Sequence, residues 1–273
     1  MDKYAVFGNP IAHSQSPFIH HQFAQQTGEN LTYHAECVPL DSFAQQVGDF
    51  FKNGGKGLNV TVPFKLEAFA IAQFQTDRAK IAGAINTLWI GKCGILSGDN
   101  TDGVGLLRDL TLNQSFEITG KKLLILGAGG AVRGILAPLL SECPQSIIIA
   151  NRTVSKAAEL ATLSPKTINS CGFDDLSGQT FDLIINGISS GLHGKMPNLP
   201  KNLFNNNGLA YDMVYGNRPT PFMEWATKQE IRAVDGLGML VEQAAEAFFI
   251  WRGVYPQTAS VISQLRQIVS GVH

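Results

Sequence analysis

The 273-residue chain reads as an α/β protein. Two observations carry that reading. Short β-rich runs alternate with stretches of helical apolar spacing along the chain. In its middle, the strand-like run Leu123 to Leu126 enters a glycine cluster, a helix and a second strand-like run, which is a βαβ unit. The length suits one large or two ordinary domains.

In chain order, Tyr4 to Phe7 is a first strand, ending at Gly8, Asn9, Pro10. Ser16 reads as the N-cap of a helix with Pro17 at its first position and Phe18, Ile19 and Phe23 on the buried face. Ser14 lies outside any capping position, so two hydroxyls flank one exposed helix entrance, a place suited to a polyol or a carboxylate. Leu31 to Val38 is a second strand, and Asp41 caps a helix that buries Phe43, Val47, Phe50 and Phe51. Gly54, Gly55 and Gly57 break the chain before a third strand, Leu58 to Val62, on which Asn59 and Thr61 share a face. Lys65 follows at the C-terminal rim, where open α/β sheets bind ligands; an ordinary surface lysine is the alternative. Two polar clusters come next, Gly83 to Leu88 and Gly98 to Gly105. Turn chemistry accounts for Asp99 and Asn100 but not for Asn86, set between Ile85 and Leu88.

The βαβ unit runs from Lys121 to Thr153. Its turn is Gly127, Ala128, Gly129, Gly130, Ala131, and its helix shows an apolar face of Ala131, Ile135, Leu136, Leu139 and Leu140. Pro138 should kink that helix. Glycines there let the backbone approach a pyrophosphate, and the helix N-terminus offers free N–H groups. The third glycine of the full fingerprint is replaced by Val132. After the second strand, Ile147 to Ala150, stand Asn151, Arg152 and Thr153, then Lys156, with no carboxylate where an NAD site carries one. Two cations there suit a ribose 2′-phosphate and point to NADP(H), against the alternative of solvated surface charges. Further strands are expected at Phe181 to Asn186 and Leu209 to Asp212, and helices from Pro221 to Lys228 and Gly238 to Trp251. The last is apolar on almost every side, so it is expected to be buried, with the first domain as a packing partner.

Composition excludes several classes. A hydrophobic fraction of 44%, a charged fraction of 16% and a net charge of −1 fit a soluble globular protein and give no reason to expect nucleic acid or a membrane surface. Apolar runs stop far short of the roughly 20 residues of a membrane span. The start enters a strand at once, as in a cytoplasmic protein. Cys37, Cys93, Cys143 and Cys171 are scattered, which fits reduced packing residues. His13, His20, His21, His34 and His193 show no ligand-like pairing, and no metal is expected.

Taken together, these motifs resemble the shikimate dehydrogenase family, the NADP-dependent enzymes of aromatic amino-acid biosynthesis. Ser14 and Ser16 sit in a loop similar to its SxSP, Asn59 to Lys65 in its NVTxPFK, Asn86 in its GA(V/I)NT and Asn100 to Gly103 in its NTDG. The resemblance continues through GAGGA, NRT, Tyr211 to Tyr215, the run Asp235 to Leu240, and Gln243. Departures are His21, where many members have Asn, and Lys156, where relatives often carry Arg.

The resemblance implies two α/β domains with a cleft between them: a substrate domain with a mixed sheet, residues 1–101 completed by helices in 238–273, and a Rossmann-like NADP domain, 102–237. It implies reversible reduction of 3-dehydroshikimate to shikimate with NADPH. Ser14, Ser16 and Tyr215 would bind the substrate carboxylate; Asn59, Thr61, Asn86, Asp102 and Gln243 its hydroxyls. Lys65 and Asp102 would form the catalytic pair. The carboxylate favours a charged lysine and desolvation a neutral one, so a proton-donor role for Lys65 is the expectation and a purely binding role the alternative. Gly127, Ala128, Gly129, Gly130 and Ala131 would carry the pyrophosphate; Asn151, Arg152, Thr153 and Lys156 the 2′-phosphate. Met213 and Gly236 would border the nicotinamide, core packing being the alternative for Met213. A monomer or homodimer is expected. Alternatives are a shikimate/quinate dehydrogenase with relaxed coenzyme use, and a catalytically silent NADP(H)-binding module.

Overall fold

The computed structural model describes residues 1–188 and 196–271; His193 lies outside them. The chain divides into two compact units. One is Met1–Leu106 with Leu240–Leu265; the other is Leu107–Met239 with the residues from Arg266 onward. The division falls a few residues later than the sequence motifs suggest, and the last helical turns group with the second unit.

The first unit contains β1 (Asp2–Gly8), α1 (Ser16–Thr27), β2 (Leu31–Cys37), α2 (Phe43–Lys52), β3 (Gly55–Val60), α3 (Lys65–Ile71), β4 (Phe74–Gln75), α4 (Asp77–Ala82), β5 (Thr87–Ile90) and β6 (Leu96–Asp99), and α5 (Asp102–Arg108) begins in it. Its sheet has the order β2-β1-β3-β5-β6-β4, and β5 runs antiparallel to both neighbours while the other pairings are parallel. Residues Tyr4 to Gly8 of β1 are almost wholly buried, as expected for a strand covered on both faces. One core lies where Phe43, Val47, Phe64 and Ala68 meet Ala5, Phe7, Leu58 and Leu88, with Phe43 stacked on Phe64.

Several local expectations are corrected here. Gly55 and Gly57 lie inside β3 instead of breaking the chain before it. A Cβ at Gly55 would come within 2.3 Å of the Phe50 ring, and one at Gly57 within 2.4 Å of Trp251. The glycines are there to seat aromatic rings on a strand, a role glycine can fill within a sheet. β3 stops at Val60, so Thr61 begins the turn that follows. Ser42, not Asp41, precedes α2, and it makes no side-chain cap. Asp99 is a buried strand residue that accepts both nitrogens of the Arg78 fork at 2.7 and 2.6 Å, not a turn former. Cys37, Cys93 and Cys143 are exposed instead of packed.

The same Arg78 reaches Glu246 at 2.8 Å on a C-terminal helix. From Leu240 onward this helix groups with the first unit, where Trp251 Nε1 donates to the carbonyl of Leu88 at 3.2 Å and Arg252 pairs with Asp2 and Glu29.

The second unit contains β7 (Lys122–Leu126), α6 (Gly130–Ser141), β8 (Ser146–Ala150), α7 (Val154–Ala161), β9 (Ile168–Cys171), β10 (Phe181–Asn186), β11 (Phe204–Asp212), α8 (Pro221–Thr227) and β12 (Arg232–Asp235). The helix carrying Glu246 is α9 (Leu237–Arg252), and α10 (Ala259–Ser270) follows it. All six strands are parallel in the order β12-β11-β10-β7-β8-β9. Counted from β7, this is the 3-2-1-4-5-6 order of doubly wound dinucleotide-binding sheets, in which the strand order reverses between β7 and β10. α6 continues through Pro138 to Ser141, and its buried face is Val132, Ile135, Leu136 and Leu139, leaving Ala131 exposed. Among the described residues, no helix is long and apolar enough to cross a membrane, and no group of three or more His, Cys, Asp or Glu side chains could hold a metal ion.

Candidate active site

Lys65 opens α3 and Asp102 opens α5, and in the first unit the two side chains meet at 2.5 Å. Both remain partly open, 29% and 15% exposed, so the pair can meet solvent or a ligand. The far oxygen of Asp102 is held by Asn86, whose Nδ2 donates to it at 2.8 Å. Asn86 is in turn fixed on every side: its Oδ1 accepts the Thr101 amide at 2.9 Å and the Thr87 hydroxyl at 2.9 Å. Its Nδ2 also lies 2.9 Å from Thr101 Oγ1 and 3.4 Å from Gln243 Oε1. An asparagine between Ile85 and Leu88 is therefore a buried anchor, satisfied as a buried amide must be.

Asn59 stands one layer behind. Both of its amide hydrogens are engaged, one with the Asn86 carbonyl at 3.0 Å and the other with Thr87 Oγ1 at 3.1 Å, and its Oδ1 accepts the Tyr33 hydroxyl at 2.7 Å. Thr61 is partly buried, with its methyl against Gly8: a Cβ there would lie 2.5 Å from Thr61 Cγ2.

At the entrance of α1 Ser16 is not the cap expected of it. The helix starts at Ser16 after Gln15, which gives no side-chain cap, and it is Ser14 Oγ that accepts the Ser16 amide at 3.3 Å. The first turn of α1 carries no acidic residue, so its free N–H groups and two hydroxyls make a place for an anion.

In the second unit, Gly127 has φ +102°, a conformation that favours glycine. A Cβ on it would press on the backbone of Gly187 at 3.3 Å, whereas Gly129 and Gly130 face open space. α6 begins without a side-chain cap, leaving its first N–H groups free for an anion. Val132 occupies the place of the third fingerprint glycine because Gly187 makes the room: a Cβ on Gly187 would lie 2.4 Å from Val132 Cγ2. The close helix-to-sheet contact is kept, with the small residue moved to the end of β10.

After β8, Arg152, Thr153 and Lys156 are exposed, and Asn151 Nδ2 shapes the turn by donating to the Thr153 carbonyl at 2.8 Å. Neither cation has an ion-pair partner among the described residues. Gly236 is compelled by its neighbour, since a Cβ would lie 2.4 Å from the Met213 carbonyl, and Met213 itself is only partly buried. Tyr215, also partly exposed, has its hydroxyl pushed upward by burial and by Asp235, so it is a neutral phenol near neutral pH. The cradle and the two unpaired cations fit a dinucleotide carrying an extra phosphate.

Comparison with known proteins agrees with both halves. Residues 6–88 match the shikimate dehydrogenase substrate binding domain, 110–193 the shikimate / quinate 5-dehydrogenase model and 236–266 the shikimate 5'-dehydrogenase C-terminal domain. The shikimate dehydrogenase (NADP(+)) of Cellvibrio japonicus is 52% identical over 97% of each chain. The chain belongs to the shikimate dehydrogenase family. The structure of an Ael1 enzyme from Pseudomonas putida is 44% identical, with a TM-score of 0.93 over 97% of this chain and 98% of that one. The shikimate 5-dehydrogenase of Thermus thermophilus, solved in complex with NADP(H) and shikimate, is 31% identical with a TM-score of 0.87 over 98% and 99% of the chains.

Within this shikimate dehydrogenase fold, sequence reasoning missed Tyr33, Thr87, Thr101 and Gly187. The first three act through bonds that span 26, 28 and 15 residues, beyond any local pattern. Gly187 had a signal: a glycine directly after the strand that borders the glycine turn.

Proposed function

We propose that the chain reduces 3-dehydroshikimate to shikimate with NADPH, reversibly, as a cytoplasmic monomer or homodimer. The observation that carries the reading is the Lys65–Asp102 pair, closed at 2.5 Å yet open to a ligand. Gly127 to Ala131 would hold the pyrophosphate, with Asn151, Arg152, Thr153 and Lys156 on the 2′-phosphate and Met213 and Gly236 beside the nicotinamide. NADPH, when bound, supplies the hydride.

The protein's own task is to hold the substrate and move one proton. An ammonium has three N–H donors. Lys65 gives one to Asp102 and keeps the others for the ketone oxygen, which takes up a proton as it becomes an alcohol. Asp102 fixes the direction of that donor and Asn86 fixes Asp102. Partial exposure lets Lys65 recover its proton from water. Ser14, Ser16 and the entrance of α1 hold the carboxylate, a task the resemblance extends to Tyr215. Thr61 and Gln243 bond ring hydroxyls. Asn59, with both hydrogens spent on the protein, serves through its carbonyl oxygen.

The test is absorbance at the NADPH band with 3-dehydroshikimate, beside the same assay with NADH. Oxidation of NADPH, with NADH much slower, is expected. No oxidation of either would favour a silent binding module, and equal rates would refute the role given to Arg152 and Lys156.

A further inference from the structure

Behind the groups that face the substrate runs an unbroken series of buried hydrogen bonds. It starts at Tyr33 on β2. Tyr33 donates to Asn59 Oδ1 at 2.7 Å, and Asn59 donates to Thr87 Oγ1 at 3.1 Å and to the Asn86 carbonyl at 3.0 Å. Thr87 donates to Asn86 Oδ1 at 2.9 Å; Asn86 donates to Asp102 at 2.8 Å; Asp102 accepts Lys65. Tyr33, Asn59, Thr87 and Asn86 are all buried, so each bond is made in a low-dielectric setting where a missing partner is costly.

The Tyr33 ring is held as firmly as its hydroxyl. It stacks on His20 with centroids 4.2 Å apart and planes 6° from parallel. His20 is itself buried, and neither of its ring nitrogens has a hydrogen-bond partner among the described residues. Burial pushes His20 down to about 3, with Asn59 opposing more weakly, so the ring is a neutral platform at working pH. Phe23, Phe248 and Trp251 close around it.

We propose that Tyr33 is a positioning residue for the reduction: its hydroxyl fixes Asn59, and through Asn59 the Thr87 and Asn86 groups that orient Asp102 and Lys65. This rests on the reading of Lys65 and Asp102 given above. Tyr33 touches neither reactant and acts through Asn59.

Steady-state kinetics of Tyr33→Phe, which keeps the stacked ring and removes the oxygen, tests it. Loss of one buried hydrogen-bond partner predicts a kcat lower by about tenfold. The KM for 3-dehydroshikimate should change by less than kcat does and that for NADPH should not move. Thr87→Val interrupts the same series one bond nearer to Asn86, so it should lower kcat with both KM values unchanged. A Tyr33→Phe enzyme with kcat within twofold of wild type would overturn the proposal. So would a loss of activity matched by loss of folded protein in melting curves. If Tyr33→Phe does not fold, Thr87→Val decides, and a wild-type kcat there overturns it. A wild type that fails to oxidise NADPH, or a Lys65→Ala enzyme with undiminished kcat, defeats the underlying reading instead.

Discussion

The two units solve the problem of ligand binding in opposite ways. In the first, a mixed sheet carries side chains already bonded to one another: Asn86 and Asp102 have fixed partners before any ligand is considered. In the second, a wholly parallel sheet ends in bare backbone and two cations without ion-pair partners among the described residues, at Gly127 to Ala131 and at Arg152 and Lys156. A site that must move a proton at one atom needs its geometry set in advance. A site that must grip phosphates needs free donors and open space, so it leaves them unspent.

The largest test of that contrast is Lys65→Ala. Loss of a general acid predicts a kcat fall of about 10²- to 10⁴-fold with little change in NADPH affinity. Near-normal turnover with only substrate affinity weakened would leave Lys65 a binding role. Next is Arg152→Ala. A charge-assisted contact to a phosphate predicts NADPH binding weaker by about 10- to 100-fold, with NADH unaffected. Fluorescence titration with both coenzymes measures it, and equal losses would remove the basis for coenzyme choice.

The smallest is a slope. The unfolded chain takes up the His20 proton near the ordinary value of 6.5, the folded chain only near 3. His20 therefore costs nothing above about pH 6.5, and below it stability drains by about 1.4 kcal/mol per pH unit until the folded value is reached. Urea unfolding at about pH 7 and about pH 5 should show wild type losing about 2 kcal/mol more than His20→Phe does over that interval. Parallel losses would mean that His20 takes up its proton in the folded chain as well.

The two halves also differ in how far they could be read from sequence. The nucleotide side is local: β7, the glycine turn, α6 and the NRT segment follow one another within about thirty residues, and each announces itself by its own composition. The substrate side is legible only in its outermost layer. Ser14, Thr61, Lys65, Asn86 and Asp102 stand in recognisable short motifs, but their supports do not. Gly55 and Gly57 look like chain breakers because the rings that explain them are on other elements, Phe50 on α2 and Trp251 on α9, about 190 residues further on. Ser16 looks like a cap because nothing local shows that α1 begins with it and not after it. β4, β5, β6, β9 and β12 escape notice, being two to four residues long. Val132 looks like a damaged fingerprint until Gly187 is seen beside it.

The ring of Trp251 seated on Gly57 sets an order of events during synthesis. A ribosome makes the slot about 190 residues before the tryptophan that fills it. At about 5–20 residues per second the gap is on the order of 10–40 s. Throughout that time β3 lacks the Trp251 ring and Arg78 lacks Glu246, while the whole second sheet is translated. The first unit is therefore completed only after the second sheet has been made.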